Sequence, residues 1–265
     1  MSLMSHVAPR RATAPEGVSR GEVRLCGVTK TFGRAGQTTT ALRDVDLRVA
    51  PGEFVTVVGA SGCGKSTMLN LIAGLDGVTS GTLQAGGKVA FMFQEATLLP
   101  WLTATQNVAL ALRLRGVPRA ERTPHARDLL GRVRLGDNSD KRPHELSGGM
   151  RQRVALARVL AQEAPIVLMD EPLGALDAMT RDHMHDEIER VWAEHHLTVI
   201  FVTHNVREAV RLGDRVVLLG SSPGRVVHEV QVDLPRPRRI DHPDVATLAG
   251  TLTTALREDV SRHVG

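Results

Sequence analysis

The sequence predicts an α/β fold built on a mainly parallel sheet, and three observations lead there. From Glu22 onward, short β-rich runs alternate with helical runs. One of these strands, Glu53–Val58, runs directly into the glycine-rich turn Gly59–Thr67, which an apolar helix follows. A second apolar strand, Ile166–Asp170, ends on the adjacent carboxylates Asp170 and Glu171, at the strand edge where open α/β sheets place their ligands.

Taken in order, Val23–Thr31 and Ala41–Val49 read as strands, and Phe54, Val55, Val57 and Val58 suit a strand buried on both faces. Met68–Ala73 continues the glycine turn as a helix. Gly86 and Gly87 punctuate the chain before a strand Val89–Phe93, which ends at Gln94. Helices are expected over Leu102–Arg115, over Ala126–Val133 and from Gly149 to Gln162, with Pro100, Pro118, Pro124, Pro143 and Pro165 at their boundaries. After Ile166–Asp170 come a loop through Asp177, a helix Met179–His195, a strand Thr198–Thr203 and a short helix after His204. Val216–Leu219 and Arg225–Gln231 form a hairpin turning on Ser222-Pro223-Gly224. Residues 21–95 and 166–235 should thus form one core and 96–165 a helical insertion, with 1–20 a flexible tail and 236–265 a tail or a weakly amphipathic helix.

Composition narrows the function. With 42% hydrophobic and 23% charged residues, the 265-residue chain is an ordinary globular sequence. Its net charge of +4 includes no concentrated Lys/Arg run, so no nucleic-acid partner is expected. The uncharged stretch Ala96–Leu112 is interrupted by Pro100, Thr103, Thr105, Gln106 and Asn107, which argues against a membrane span. Two cysteines, Cys26 and Cys63, cannot build a disulfide framework, and a bridge from Cys63 would distort the glycine turn; a reducing, cytosolic compartment is expected. The first twenty residues lack the apolar core of a secretory leader.

The turn Gly59-Ala60-Ser61-Gly62-Cys63-Gly64-Lys65-Ser66-Thr67 is a phosphate-loop pattern. Its glycines let backbone N–H groups converge on phosphate oxygens, and the helix behind them presents its positive end. Lys65 is placed to reach the β and γ phosphates, and Ser66 to ligate magnesium. At the carboxylate pair, strand alternation separates the roles: Asp170 faces the phosphate loop and holds the metal, while Glu171 polarises the attacking water. Ser147 with the N–H groups of Gly148 and Gly149 opens a helix and forms a second anion site. The histidines His183, His185, His195 and His196 with Glu187, Glu189 and Glu194 read as a solvated helix face, and Cys63 as a small filler.

Leu146-Ser147-Gly148-Gly149-Met150, followed by Arg151-Gln152-Arg153, resembles the signature loop of ATP-binding cassette (ABC) proteins, and the resemblance extends over residues 22–235. It implies a P-loop NTPase with a RecA-like core, an antiparallel β subdomain and an inserted helical subdomain. By the same resemblance Phe32 would stack on adenine, Gln94 would be the Q-loop ligand of Mg2+, Ala175-Leu176-Asp177 the D-loop and His204 the switch histidine. ATP would lie between Lys65 of one copy and Ser147 of another, in a head-to-tail dimer.

Pro100-Trp101-Leu102-Thr103, Pro223-Gly224-Arg225 and Asp233-Leu234-Pro235-Arg236-Pro237-Arg238 are similar to the branch of importers for sulfonates, taurine and nitrate. That branch implies membrane permease subunits as partners, a solute-binding protein acting through them, and a peripheral place on the cytoplasmic face of the inner membrane. Two other classes fit less well. A soluble ABC ATPase acting on DNA or ribosomes would need a long coiled coil or a second cassette, and a non-hydrolysing scaffold would lack Glu171.

Overall fold

Two sheets of different character organise the chain. The computed structural model describes residues 17–34, 37–174, 176–221 and 223–263. Ala175, Ser222 and most of the expected N-terminal tail therefore lie outside the described residues. Strand β1 (Val23–Arg34) is the middle of an antiparallel sheet, flanked by β2 (Gln37–Val49) and β4 (Ser80–Ala85). The larger sheet contains β3 (Phe54–Gly59), β5 (Val89–Met92), β6 (Ile166–Asp170), β7 (Thr198–Thr203), β8 (Arg215–Leu219) and β9 (Val226–Gln231). Its six strands run in the order β5–β6–β7–β3–β8–β9, all parallel except the β8–β9 hairpin.

Because β3 and β7 are central, every one of their residues is buried. Alternation then divides their side chains between two cores. Phe54, Val199 and Phe201 face the helices that follow β5, whereas Val55, Val57, Ile200 and Val202 face the antiparallel sheet and α1 (Lys65–Ile72). The sheet is thereby clamped on both sides, and the turns at the C-terminal ends of its strands are held along one edge.

Helices α2 (Ala104–Arg115), α3 (Arg119–Arg132) and α4 (Gly148–Leu160) occupy the stretch between β5 and β6. Thr103 and Gln106 cap α2 reciprocally, each side chain bonding the other's backbone N–H, a device worth about 1 kcal/mol. Past β6 come α5 (Ala178–His195), α6 (Val206–Leu212) and α7 (Pro243–His263). The last of these is a docked helix: Val245, Ala249 and Leu252 pack over Ala209, Val210, Val216 and Leu218. The segment leading into it is pinned by buried Arg238, whose guanidinium donates to the carbonyls of Val210, Val232 and Leu234.

The fold departs from expectation in two places. Strand β4 was not anticipated, since Ser-Gly-Thr-Leu-Gln-Ala has one large apolar residue and lies on an edge. Pro124 does not bound a helix but lies inside α3, which starts at Arg119; the carbonyl that its missing N–H would have engaged belongs to exposed Ala120, where water can serve. Trp101 is 66% exposed.

Candidate active site

The Gly59–Thr67 turn owes its shape to positions where a side chain cannot fit. A Cβ on Gly64 would lie 2.7 Å from Leu42 Cδ2 and 2.8 Å from the Ala41 carbonyl, and one on Gly59 would lie 2.5 Å from the Leu219 carbonyl. Gly62 and Gly64 also adopt φ of 78° and 97°, in the left-handed region. No side chain caps α1, so its first N–H groups remain available to an anion. Lys65 is buried and folds back over the turn, donating to the carbonyls of Gly59 and Ala60 at 2.9 Å each.

Opposite the turn, β6 delivers its two carboxylates with different surroundings. Burial pushes the Asp170 carboxyl above its ordinary range; a hydrogen bond from Ser66 opposes this, and the charge of Glu171 reinforces it. Glu171 sits at φ 42° and is held by its own N–H on the Val202 carbonyl at 3.0 Å. A left-handed glutamate costs of order 1 kcal/mol and belongs to the kind of strain found at functional positions. Its carboxylate meets His204 Nδ1 at 2.9 Å through Oε2 and lies 4.0 Å from Lys65 Nζ through Oε1.

The structure thus brings Lys65, Ser66, Asp170, Glu171 and His204 into one cluster. Gln94 joins its rim: Gln152 Nε2 holds the Gln94 carbonyl at 2.8 Å, and the Gln94 amide lies 3.9 Å from the Cβ position of Gly174. Phe32 is 44% exposed on the antiparallel sheet, with Lys30 Nζ 4.7 Å from its ring centroid.

The Ser147 turn is not part of that cluster. Ser147 caps α4 by accepting the Met150 N–H at 3.2 Å, and it is exposed. Its neighbours are instead the residues around Asp177. A Cβ on Gly148 would lie 3.8 Å from Leu176 Cδ2, and one on Gly149 would lie 2.2 Å from Thr180 Cγ2, so only glycine lets α4 start against α5. Asp177 caps α5 through Thr180 N–H at 2.9 Å, and this hydrogen bond holds its carboxyl below the usual range.

One expectation needs correction. His185 and Glu187 do not belong to a solvated face: both are buried, His185 because it bonds Glu208 Oε1 at 2.8 Å and Glu187 because it pairs with Arg190. Among the described residues, no group of three or more His, Cys, Asp or Glu side chains is arranged to hold a metal ion. Cys63 is a buried filler whose thiol is pushed up by desolvation, so its side chain does not face a ligand; only its backbone belongs to the turn. Iodoacetamide should therefore add to exposed Cys26 alone in the native protein, and to both cysteines after denaturation; two adducts on the native protein by mass spectrometry would contradict this burial.

Comparison with known proteins shows the family. A family described as ABC transporter matches residues 42–174. The aliphatic sulfonates import ATP-binding protein SsuB of Rhodopseudomonas palustris (strain BisA53) is 47% identical over 247 residues, spanning 91% of this chain and 85% of that protein. The chain belongs to the ABC transporter family. The taurine import ATP-binding protein TauB of Mesorhizobium japonicum is 46% identical, over 84% of this chain and 93% of its own. Among solved structures, the dimeric post-hydrolysis state of the ATP-binding cassette MJ0796 bound to ADP and Pi matches with a TM-score of 0.71 and 35% identity, covering 80% of this chain and all of that one. The protein is an ABC-type ATPase with the P-loop NTPase fold, and among its described residues no helix is long and apolar enough to cross a membrane.

Sequence reasoning missed the contacts that brace this candidate site. Gln152, Thr180 and His185 touch site residues or their neighbours from far away in sequence, and Glu208 bonds Thr203 from only five residues on but joins it to His185 of another helix. The only available signal was that polar residues occupied helix positions where the periodicity called for apolar ones.

Proposed function

We propose that this chain is the ATP-hydrolysing subunit of an importer for a small organic anion such as a sulfonate or taurine, with nitrate a further member of the class. The carrying observation is that Lys65 and Ser147 stand at two separate anion-binding turns of one chain. One γ phosphate can engage both only if a second copy supplies the Ser147 turn, which makes a head-to-tail dimer the working unit. The dimeric relative with ADP and Pi and the import proteins SsuB and TauB support this reading.

On this reading Lys65 exchanges the Gly59 and Ala60 carbonyls for phosphate oxygens, while the N–H groups of Gly62, Cys63, Gly64, Ser66 and Thr67 and the Ser61 segment cradle the phosphates. Phe32 stacks on adenine. Glu171 orients and polarises water, and His204, already bonded to Glu171, contacts the γ phosphate. The partner copy adds Ser147, Gly148, Gly149 and the Asp177 loop. Ser66, Asp170 and Gln94 present a hydroxyl, a carboxylate and an amide oxygen, a hard donor set that fits Mg2+, and the Ser66–Asp170 hydrogen bond already joins two of the three. Bound there, Mg2+ would neutralise charge on the β and γ phosphates.

Coupling to the membrane would run through the segment after Gln94. A groove of about 420 Å³ lies beside it, with Leu99, Leu110, Ala111 and Leu114 as apolar lining and Arg115 and Arg158 at its rim. Its position and apolar lining suit a short helix of a permease subunit, with the solute-binding protein acting indirectly through that permease. The division into a core of 21–95 with 166–235, a helical subdomain 96–165 and a C-terminal element 236–265 follows this function, as does a peripheral place on the cytoplasmic face of the inner membrane. In the test, Ser147→Arg should leave ATP binding by the monomer within about twofold while abolishing ATP-dependent dimerisation on gel filtration; undiminished dimerisation would refute the shared site.

A further inference from the structure

His204 is 66% exposed in its side chain, so packing does not hold it on Glu171. Its backbone does. The Thr203 hydroxyl oxygen accepts the Asn205 N–H at 3.0 Å, closing a turn around His204, and Asn205 in turn caps α6 through the N–H groups of Arg207 and Glu208. Since the Asn205 N–H already points at that oxygen, the Thr203 proton is free to go to its other neighbour, Glu208 Oε2. Glu208 Oε1 then accepts from His185 Nε2 at 2.8 Å. All three side chains are almost wholly buried, at 2% exposure for Thr203, 4% for Glu208 and 0% for His185. His185 Nδ1 has no hydrogen-bond partner; the nearest carboxylate is Asp182 on the same helix, at 3.6 Å. The ring is thus committed to Glu208.

We infer that His185 and Glu208 are positioning residues for hydrolysis: they lock the Thr203 hydroxyl, and with it the turn that aims His204 at Glu171. A buried carboxylate is expensive unless each oxygen finds a donor, which is why the chain Thr203–Glu208–His185 is satisfied at every link but the last. Because His185 lies on α5, whose first residues follow Asp177, this relay also ties the aim of His204 to the helix carrying the Asp177 loop. The inference rests on the ATPase reading in which Glu171 and His204 act on the same γ phosphate.

The test compares steady-state Mg-ATP hydrolysis by the full chain and by His185→Leu, Thr203→Val and His185→Gln, with thermal unfolding and ATP affinity measured alongside. Gln places an amide N–H where His185 Nε2 lies, and Thr203→Val keeps the shape of its side chain. His185→Leu and Thr203→Val should lower kcat at least about tenfold with KM within about twofold, and His185→Gln should restore kcat to within about threefold of the parent. Unchanged kcat in His185→Leu or Thr203→Val, an equal rise in KM, or failure of His185→Gln to restore turnover would each overturn the inference while leaving the ATPase reading intact. A parent chain that binds ATP without hydrolysing it would overturn both.

Discussion

Glu171→Gln is expected to lower ATP turnover roughly 100-fold or more while leaving ATP binding intact, because a general base of this kind contributes on the order of 100- to 10,000-fold. The amide keeps the shape of the side chain and can still reach His204 Nδ1, but it no longer accepts a proton from water. The carboxylate also lies 4.0 Å from Lys65, so its removal leaves that cation facing the phosphates without a competitor. ATP should then hold two copies together without being consumed. Measured by phosphate release and by gel filtration with ATP, the variant should be inactive and dimeric; residual activity near that of the parent would remove Glu171 from the chemistry.

Gly149→Ala should disable the Ser147 turn from behind. The added methyl would lie 2.2 Å from Thr180 Cγ2, far inside van der Waals contact, so α4 and α5 must separate at their starts. Overpacking of this kind costs about 1–3 kcal/mol. The expected result is a lower unfolding temperature together with loss of ATP-dependent dimerisation, since Ser147 and the Asp177 loop would both shift. Thr180→Ser removes the offending methyl group and keeps the hydroxyl, so the double variant Gly149→Ala/Thr180→Ser should recover both properties. Effects that simply add in the double variant would show that the clash is not the cause.

Much of the site was legible from local spacing. A phosphate loop, a strand ending in two carboxylates and a Ser-Gly-Gly turn at a helix start are each encoded within about ten residues, because strand alternation and helix polarity act over that range. The contacts that brace them are not. Gly149 reads as a backbone donor of the Ser147 turn, and that it must also make room for Thr180 on another helix is seen only in the fold. His185 carries a polar side chain on a helix with exposed neighbours, and only the fold reveals that it points inward to Glu208. Strand β4 has little apolar periodicity of its own and is held as a strand by its pairing with β1.

The docking of α7 has a consequence for biogenesis. The apolar surface of α6 and β8 is covered by Val245, Ala249 and Leu252, with Ala255 and Leu256 packed against the same patch. During synthesis the phosphate loop emerges well before α7, so the edge behind His204 stays bare until residues up to Leu256 have left the ribosome. Maturation of the nucleotide-responsive side therefore waits on α7, and ribosome-stalled chains that stop before Pro243 should be protease-sensitive there.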